Sequence, residues 1–140
     1  MIWFNPYNLE QVNKFNKNTL CEHLEIQVTE LGENFIKGTM PVDHRTHQPY
    51  GVLHGGASCV LAESLGSIGS NLIVDPSAQY CVGQTISASH LRPISSGIVE
   101  GKATIIHKGR KSHLWEIAIT NAEGKLICKS TLTMAVVDKS

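Results

Sequence analysis

Glu63 stands eight residues after the first of two adjacent glycines, Gly55-Gly56, in a stretch that otherwise reads as an apolar helix. Glycine leaves its backbone N–H open to close approach because no Cβ stands in the way. The first N–H groups of a helix lack intrahelical partners and carry partial positive charge. A helix starting at this pair could polarise a carbonyl and hold an oxyanion. It could equally be a plain helix start with a flexible entrance. Glu63 is the only acidic residue of the helix, and it lies off the apolar stripe. Around it are Val60, Ala62, Ser64 and Gly66, none of which can pair with it. An uncompensated carboxylate on a mostly buried helix is costly, and that is how a catalytic carboxylate looks. At a solvent-facing position it would be an ordinary surface charge. Ser67, one turn on, shares its face and could hydrogen-bond the carboxylate or a water. Eight helical residues span roughly 12 Å, so one carbonyl carbon cannot meet both Gly55 and Glu63 of one chain. If both act on one bond, two chains supply them. Two such helices, antiparallel about a two-fold axis, would bring Gly55 of one to Glu63 of the other. The chemistry therefore predicts a homodimer with two equivalent sites in its interface.

Two further clusters bear on chemistry. His44, His47 and His54 lie close in sequence to Asp43. A loop HxxH lacks the fixed i, i+4 face of a zinc helix, so no metal is expected. His54, next to Gly55, is better placed to orient the loop or a substrate carbonyl. His107-Lys108-Gly109-Arg110-Lys111 falls between two strand-like segments, with four of five residues basic or potentially basic. Such a turn could bind phosphates, or it could be a solvated hairpin tip. His90 and Arg92, near the end of the preceding strand, could extend the patch. In a chain of zero net charge, that clustering suits one anionic ligand better than a polymer.

The elements that must position these residues can be read from periodicity. Leu9, Val12 and Phe15 make one short helical face within residues 8–18. From Leu24 the period becomes two, with Leu24, Ile26 and Val28 on one side of a half-buried strand. Gly32-Glu33-Asn34 turns the chain into a returning strand, Phe35 to Val42. Residues 43–53 read as a loop. From Ala57 to Ile73 the pattern is helical, with Ala57, Leu61, Leu65, Ile68 and Leu72 as its apolar stripe. Cys59, Gly66, Gly69 and Ser70 keep another side small, so a second backbone or a ligand could come close. Four strands follow. In the first, Val82, Ile86 and Ala88 share a face. The second is Ile98 to His107. The third is His113 to Thr120, with Trp115, Ile117 and Ile119 inward. The last is Leu126 to Val137, with Leu126, Cys128, Leu132, Met134 and Val136 inward. Short connections between the later strands predict an antiparallel sheet, and with one long helix an α+β roll.

The chain has 140 residues, enough for one domain with a real core, here residues 1–140. Lys plus Arg is 12 and Asp plus Glu is 12. That balance argues against a general binder of nucleic acid or anionic membranes. No apolar run is long enough to span a bilayer, and the first residues, MIWFNPYNLEQ, do not read as a signal peptide. Four scattered cysteines with no CxxC pair read as reduced thiols, which predicts a cytoplasmic location.

Taken together, these features resemble the hotdog-fold acyl-CoA thioesterases. Within them the match is to the group with the phenylacetate-pathway thioesterase and 1,4-dihydroxy-2-naphthoyl-CoA hydrolase of menaquinone synthesis. The resemblance rests on MPVDHRTHQPYGVLHGGASCVLAESLGS (residues 40–67), then on SHLRP (89–93) and HKGR (107–110). It implies a long central helix wrapped by a five- to six-stranded antiparallel sheet, assembled as a dimer of dimers. It makes Glu63 the catalytic carboxylate and the Gly55 N–H the donor to the thioester carbonyl. Gln48 and His54 would assist there, and Ser67 would support Glu63 or the attacking water. Val82, His90, Leu91, Arg92, Pro93, His107, Lys108, Gly109, Arg110, Lys111 and Ser112 would contact the coenzyme A part of the substrate. No separate cofactor is implied, because a thioester is already activated. Other hotdog readings are a dehydratase or hydratase acting on a thioester, and a non-catalytic acyl-binding module.

Overall fold

The computed structural model describes residues 1–140. Two short helices open the chain, α1 (Leu9–Lys14) and α2 (Leu20–His23). Strands β1 (Gln27–Leu31) and β2 (Phe35–Val42) follow, then the long helix α3 (Gly55–Ile73). Strands β3 (Gln79–His90), β4 (Gly97–Lys108), β5 (Ser112–Thr120) and β6 (Leu126–Asp138) complete it. All six strands form one antiparallel sheet in the order β1-β2-β4-β5-β6-β3. Helix α3 lies against it and touches β2 to β6. The expected α+β roll is what forms, with six strands.

Alternation in the central strands fills the space under α3. Trp115, Ile117 and Ile119 of β5 are fully buried, as are Leu132 and Met134 of β6 and Ile36 and Met40 of β2. From the helix come Leu61, Leu65 and Leu72, also fully buried. The small residues of α3 serve this packing. A Cβ on Gly66 would lie 2.4 Å from a methyl of Leu132, and one on Gly69 would lie 2.7 Å from the Trp115 ring. Gly66 and Gly69 let the sheet approach the helix, one of the two uses the sequence left open. Ile68 of the expected stripe is only half-buried.

Three departures from simple periodicity have local causes. Leu24 buries its side chain from the end of α2, not from a strand. Its N–H bonds to Leu20 O, that of Ile26 bonds to Cys21 O, and Glu25 between them has φ +54°. Strand β1 therefore begins at Gln27. In β6 the register with β5 jumps from Ile119↔Cys128 to Thr120↔Leu126. The extra residue, Ile127, turns inward and Leu126 is left exposed. In β3 the register with β6 jumps from Gly83↔Met134 to Thr85↔Thr133, leaving Gln84 as the extra residue. A bulge shifts side-chain alternation by one, so Val82 is exposed and out of phase with Ile86 and Ala88.

Candidate active site

The start of α3 shows what its glycines are for. His54 is the N-cap, and its Nδ1 accepts a hydrogen bond from the Gly56 N–H at 2.8 Å. The N–H groups of Ala57 and Ser58 both reach His54 O. In this first turn the Gly55 N–H alone makes no hydrogen bond. It is a free donor at the positive end of a 19-residue helix. The ring of His90, at the end of β3, packs on Gly55 so closely that a Cβ there would lie 2.7 Å from its Nε2. The loop before the helix is tied down on both sides. Leu53 N–H bonds to Ile94 O, His54 N–H to Thr46 O, and His47 Nε2 lies 2.8 Å from Ser95 O. Arg45 reaches Asp43 Oδ2 at 2.7 Å, Glu25 Oε2 at 2.6 Å and His23 O at 2.9 Å. Its hydrogen bonds hold the Asp43 carboxyl well below the usual carboxylate range. The side-chain oxygen of Gln48 accepts from Tyr50 N–H, leaving its own N–H donors unused. Gln48, Gly55, Leu53 and His90 to Pro93 line one cavity of about 320 Å³.

Glu63 lies in a different place. It is half-buried, forms no ion pair, and lines a cavity of about 480 Å³ with Ser67, Gly56 and Cys59. The opposite wall comes from α1 and α2, with Phe15, Leu20 and Cys21. The sequence did not reveal this wall. Its only signal was Phe15, in phase with buried Val12 yet itself exposed. Val52 and Leu53 line the Gly55 cavity, Tyr50 is 90% exposed, and Leu61 is sealed in the core. Burial, then the nearby Glu63 charge, pushes the Cys59 thiol up. That keeps Cys59 a thiol and makes it a poor rival nucleophile.

The residues expected at coenzyme A do not gather on one chain. Val82 stands opposite Ala135, and Ala135 opposite Ser112, so Val82 neighbours the turn of His107, Lys108, Gly109, Arg110, Lys111 and Ser112. His90 stands opposite Cys128, and Cys128 opposite Ile119, at the other end of the sheet. Eight strand residues separate Val82 from His90, roughly 26 Å. His90, Leu91, Arg92 and Pro93 therefore do not extend the basic turn of their own subunit.

A long helix held in one six-stranded antiparallel sheet, with a bare N–H at its start and a half-buried glutamate two turns on, is the hotdog architecture of thioester enzymes. The model of the thioesterase superfamily matches residues 50–128. The chain belongs to that superfamily and is a thioester hydrolase. It is 48% identical to the proofreading thioesterase EntH of Cronobacter turicensis, over 98% of this chain and 99% of that one. A solved thioesterase mutant from Pseudomonas aeruginosa shares 47% identity and superposes with a TM-score of 0.97, covering 99% of this chain and 100% of that one. A Staphylococcus aureus thioesterase, 33% identical, has been solved with a glutamate and, separately, with a glutamine changed to alanine. Those structures give TM-scores of 0.83 and 0.81, covering 86% and 84% of this chain and 99% and 97% of theirs. The two altered positions lie fifteen residues apart, the spacing of Gln48 and Glu63 here.

Proposed function

We propose that this enzyme hydrolyses an aromatic acyl-CoA, 1,4-dihydroxy-2-naphthoyl-CoA being the leading candidate, to the free acid and coenzyme A in the cytoplasm. Residues 1–140 act as a single domain within a homodimer, itself paired into a dimer of dimers. The observation that carries the reading is the division of the site. The free Gly55 N–H with Gln48 and His90 lines one cavity, and Glu63 with Ser67 lines another. A two-fold axis beside β3, which is a free sheet edge of 12 residues, joins the halves. Bringing Gly55 of one subunit to Glu63 of the other also carries His90 to Pro93 toward Val82 and the basic turn of the other subunit. The phosphate-binding residues separated on one chain thus meet across two. Burying the β3 edge also removes a pairing hazard.

At the assembled site the Gly55 N–H, with Gln48 N–H assisting, polarises the thioester carbonyl. Glu63 either attacks the carbonyl carbon, expelling the thiolate and leaving an anhydride that water opens, or takes the proton from the attacking water. Ser67 holds the carboxylate or the water. His54, whose Nδ1 is spent on capping, can assist only through Nε2. Support for Gln48 and Glu63 comes from their spacing, and the aromatic class rests on the motif resemblance.

The test is thiol release across a panel of aromatic and aliphatic acyl-CoAs. Aromatic substrates should show the higher kcat/KM, and Glu63→Gln should stay folded while kcat falls by about 10²–10⁴. Aliphatic preference would overturn the substrate class. Near wild-type turnover by Glu63→Gln would overturn the assignment of the site.

A further inference from the structure

We propose that Gly83 is a positioning residue for hydrolysis, and that the bulge beside it lets one strand serve both half-sites. An ideal Cβ on Gly83 would lie 2.2 Å from Glu63 Oε2 and 3.1 Å from its carboxyl carbon. The carboxylate therefore rests on the bare backbone of β3, and any side chain at position 83 would occupy its place. The proposal rests on the reading of Glu63 as the reacting carboxylate.

The bulge explains how β3 reaches both groups. Before Gln84, odd-numbered residues face α3. Cys81 is buried with its N–H on Asn71 Oδ1, and Gly83 meets Glu63. After Gln84, even-numbered residues do so. Ile86 and Ala88 pack on the core, and His90 lies on Gly55. In a regular strand, residues 83 and 90 would point to opposite faces, since seven is odd. The single extra residue turns both toward the helix. Bulges beside active sites re-aim side chains in this way.

The prediction is separable from folding. Gly83 has no left-handed φ, so alanine suits the backbone. The atom that must give way is the tip of a flexible side chain. Gly83→Ala should retain its circular dichroism and keep KM within about twofold, while kcat falls by about tenfold or more, since a displacement near 1 Å can cost ~10²-fold. The discriminating variant is Glu63→Asp, which withdraws the carboxylate by one methylene. In that background Gly83→Ala should cost less than about threefold, because the obstruction is gone. An unfolded Gly83→Ala, an unchanged kcat, or an equal loss in both backgrounds would overturn the proposal. Glu63→Gln run alongside tells the two failures apart. If it is inactive while Gly83→Ala is normal, only the role of Gly83 falls. If it is fully active, the reading of Glu63 falls, and the role of Gly83 with it.

Discussion

A carboxylate is useful as base or nucleophile where nothing neutralises it and little water surrounds it. Glu63 meets both conditions by position, half-buried and without an ion pair, while its neighbour Cys59 is kept as a thiol by burial. A second titratable residue does structural work with no part in the chemistry. Ser70 Oγ lies 2.8 Å from both Trp115 Nε1 and His113 Nδ1, and all three residues are buried. Tryptophan donates to Ser70 Oγ, while the serine hydroxyl and His113 Nδ1 share one hydrogen bond whose donor is set by the ring's tautomer. Burial pushes the His113 pKa down, with Lys108 and His107 adding to the effect. A depressed histidine contributes stability that is whole above its unfolded value and is lost as pH falls from there through the folded value. Urea unfolding of wild type should therefore show a lower midpoint at pH 5 than at pH 7.5. His113→Asn, which keeps an acceptor but cannot titrate, should lose less over the same interval. Equal pH dependence in the two proteins would show that the ring is not held neutral.

At the scale of elements, α3 works because sheet side chains pack directly onto its glycines. Gly66 faces Leu132 and Trp115, both fully buried. Gly66→Ala gains helix propensity, roughly 1 kcal/mol, yet forces atoms into filled space, which costs about 1–3 kcal/mol. Overpacking should win, and thermal unfolding should show a lower Tm for the variant; a higher one would mean that Leu132 moves aside freely. Periodicity revealed α3 and strands β2 and β5, because their faces repeat without interruption. It could not reveal where repetition stops. The turn at Glu25 and the bulges at Gln84 and Ile127 are single-residue events, the first fixed by local bonds to Leu20 and Cys21 and the bulges by pairing with distant strands. The candidate site was legible to the same degree. Gly55, Glu63 and Ser67 stand out by type and local spacing, whereas Gln48 came only with the resemblance. The seat of His90 on Gly55 depends on strand register across 35 residues, and the α1–α2 wall on tertiary packing. The small side of α3 left two uses open for a related reason, since composition shows room but not what fills it.

At the scale of the whole molecule, the proposed reaction needs two groups that one chain holds apart. Helix geometry keeps Gly55 and Glu63 roughly 12 Å apart, and their cavities share neither residue. A symmetric dimer with shared sites has a consequence that a chain with a complete site cannot imitate. Glu63→Gln subunits lack the carboxylate but keep an intact Gly55 half. Gly55→Val subunits lose that half, because even a Cβ displaces the His90 ring, but keep Glu63. Each homodimer should be nearly inactive. A heterodimer has one site with both lesions and one with neither. Random pairing of equal amounts makes about half of the dimers mixed, so co-refolding should restore about a quarter of the wild-type sites. The readout is kcat per total subunit, with the mixed species verified by native mass spectrometry. The recovered activity should show the wild-type KM, because each restored site is built from unaltered halves. Verified heterodimers that stay inactive would mean that both groups serve from one chain, and the two-fold arrangement would lose its chemical reason.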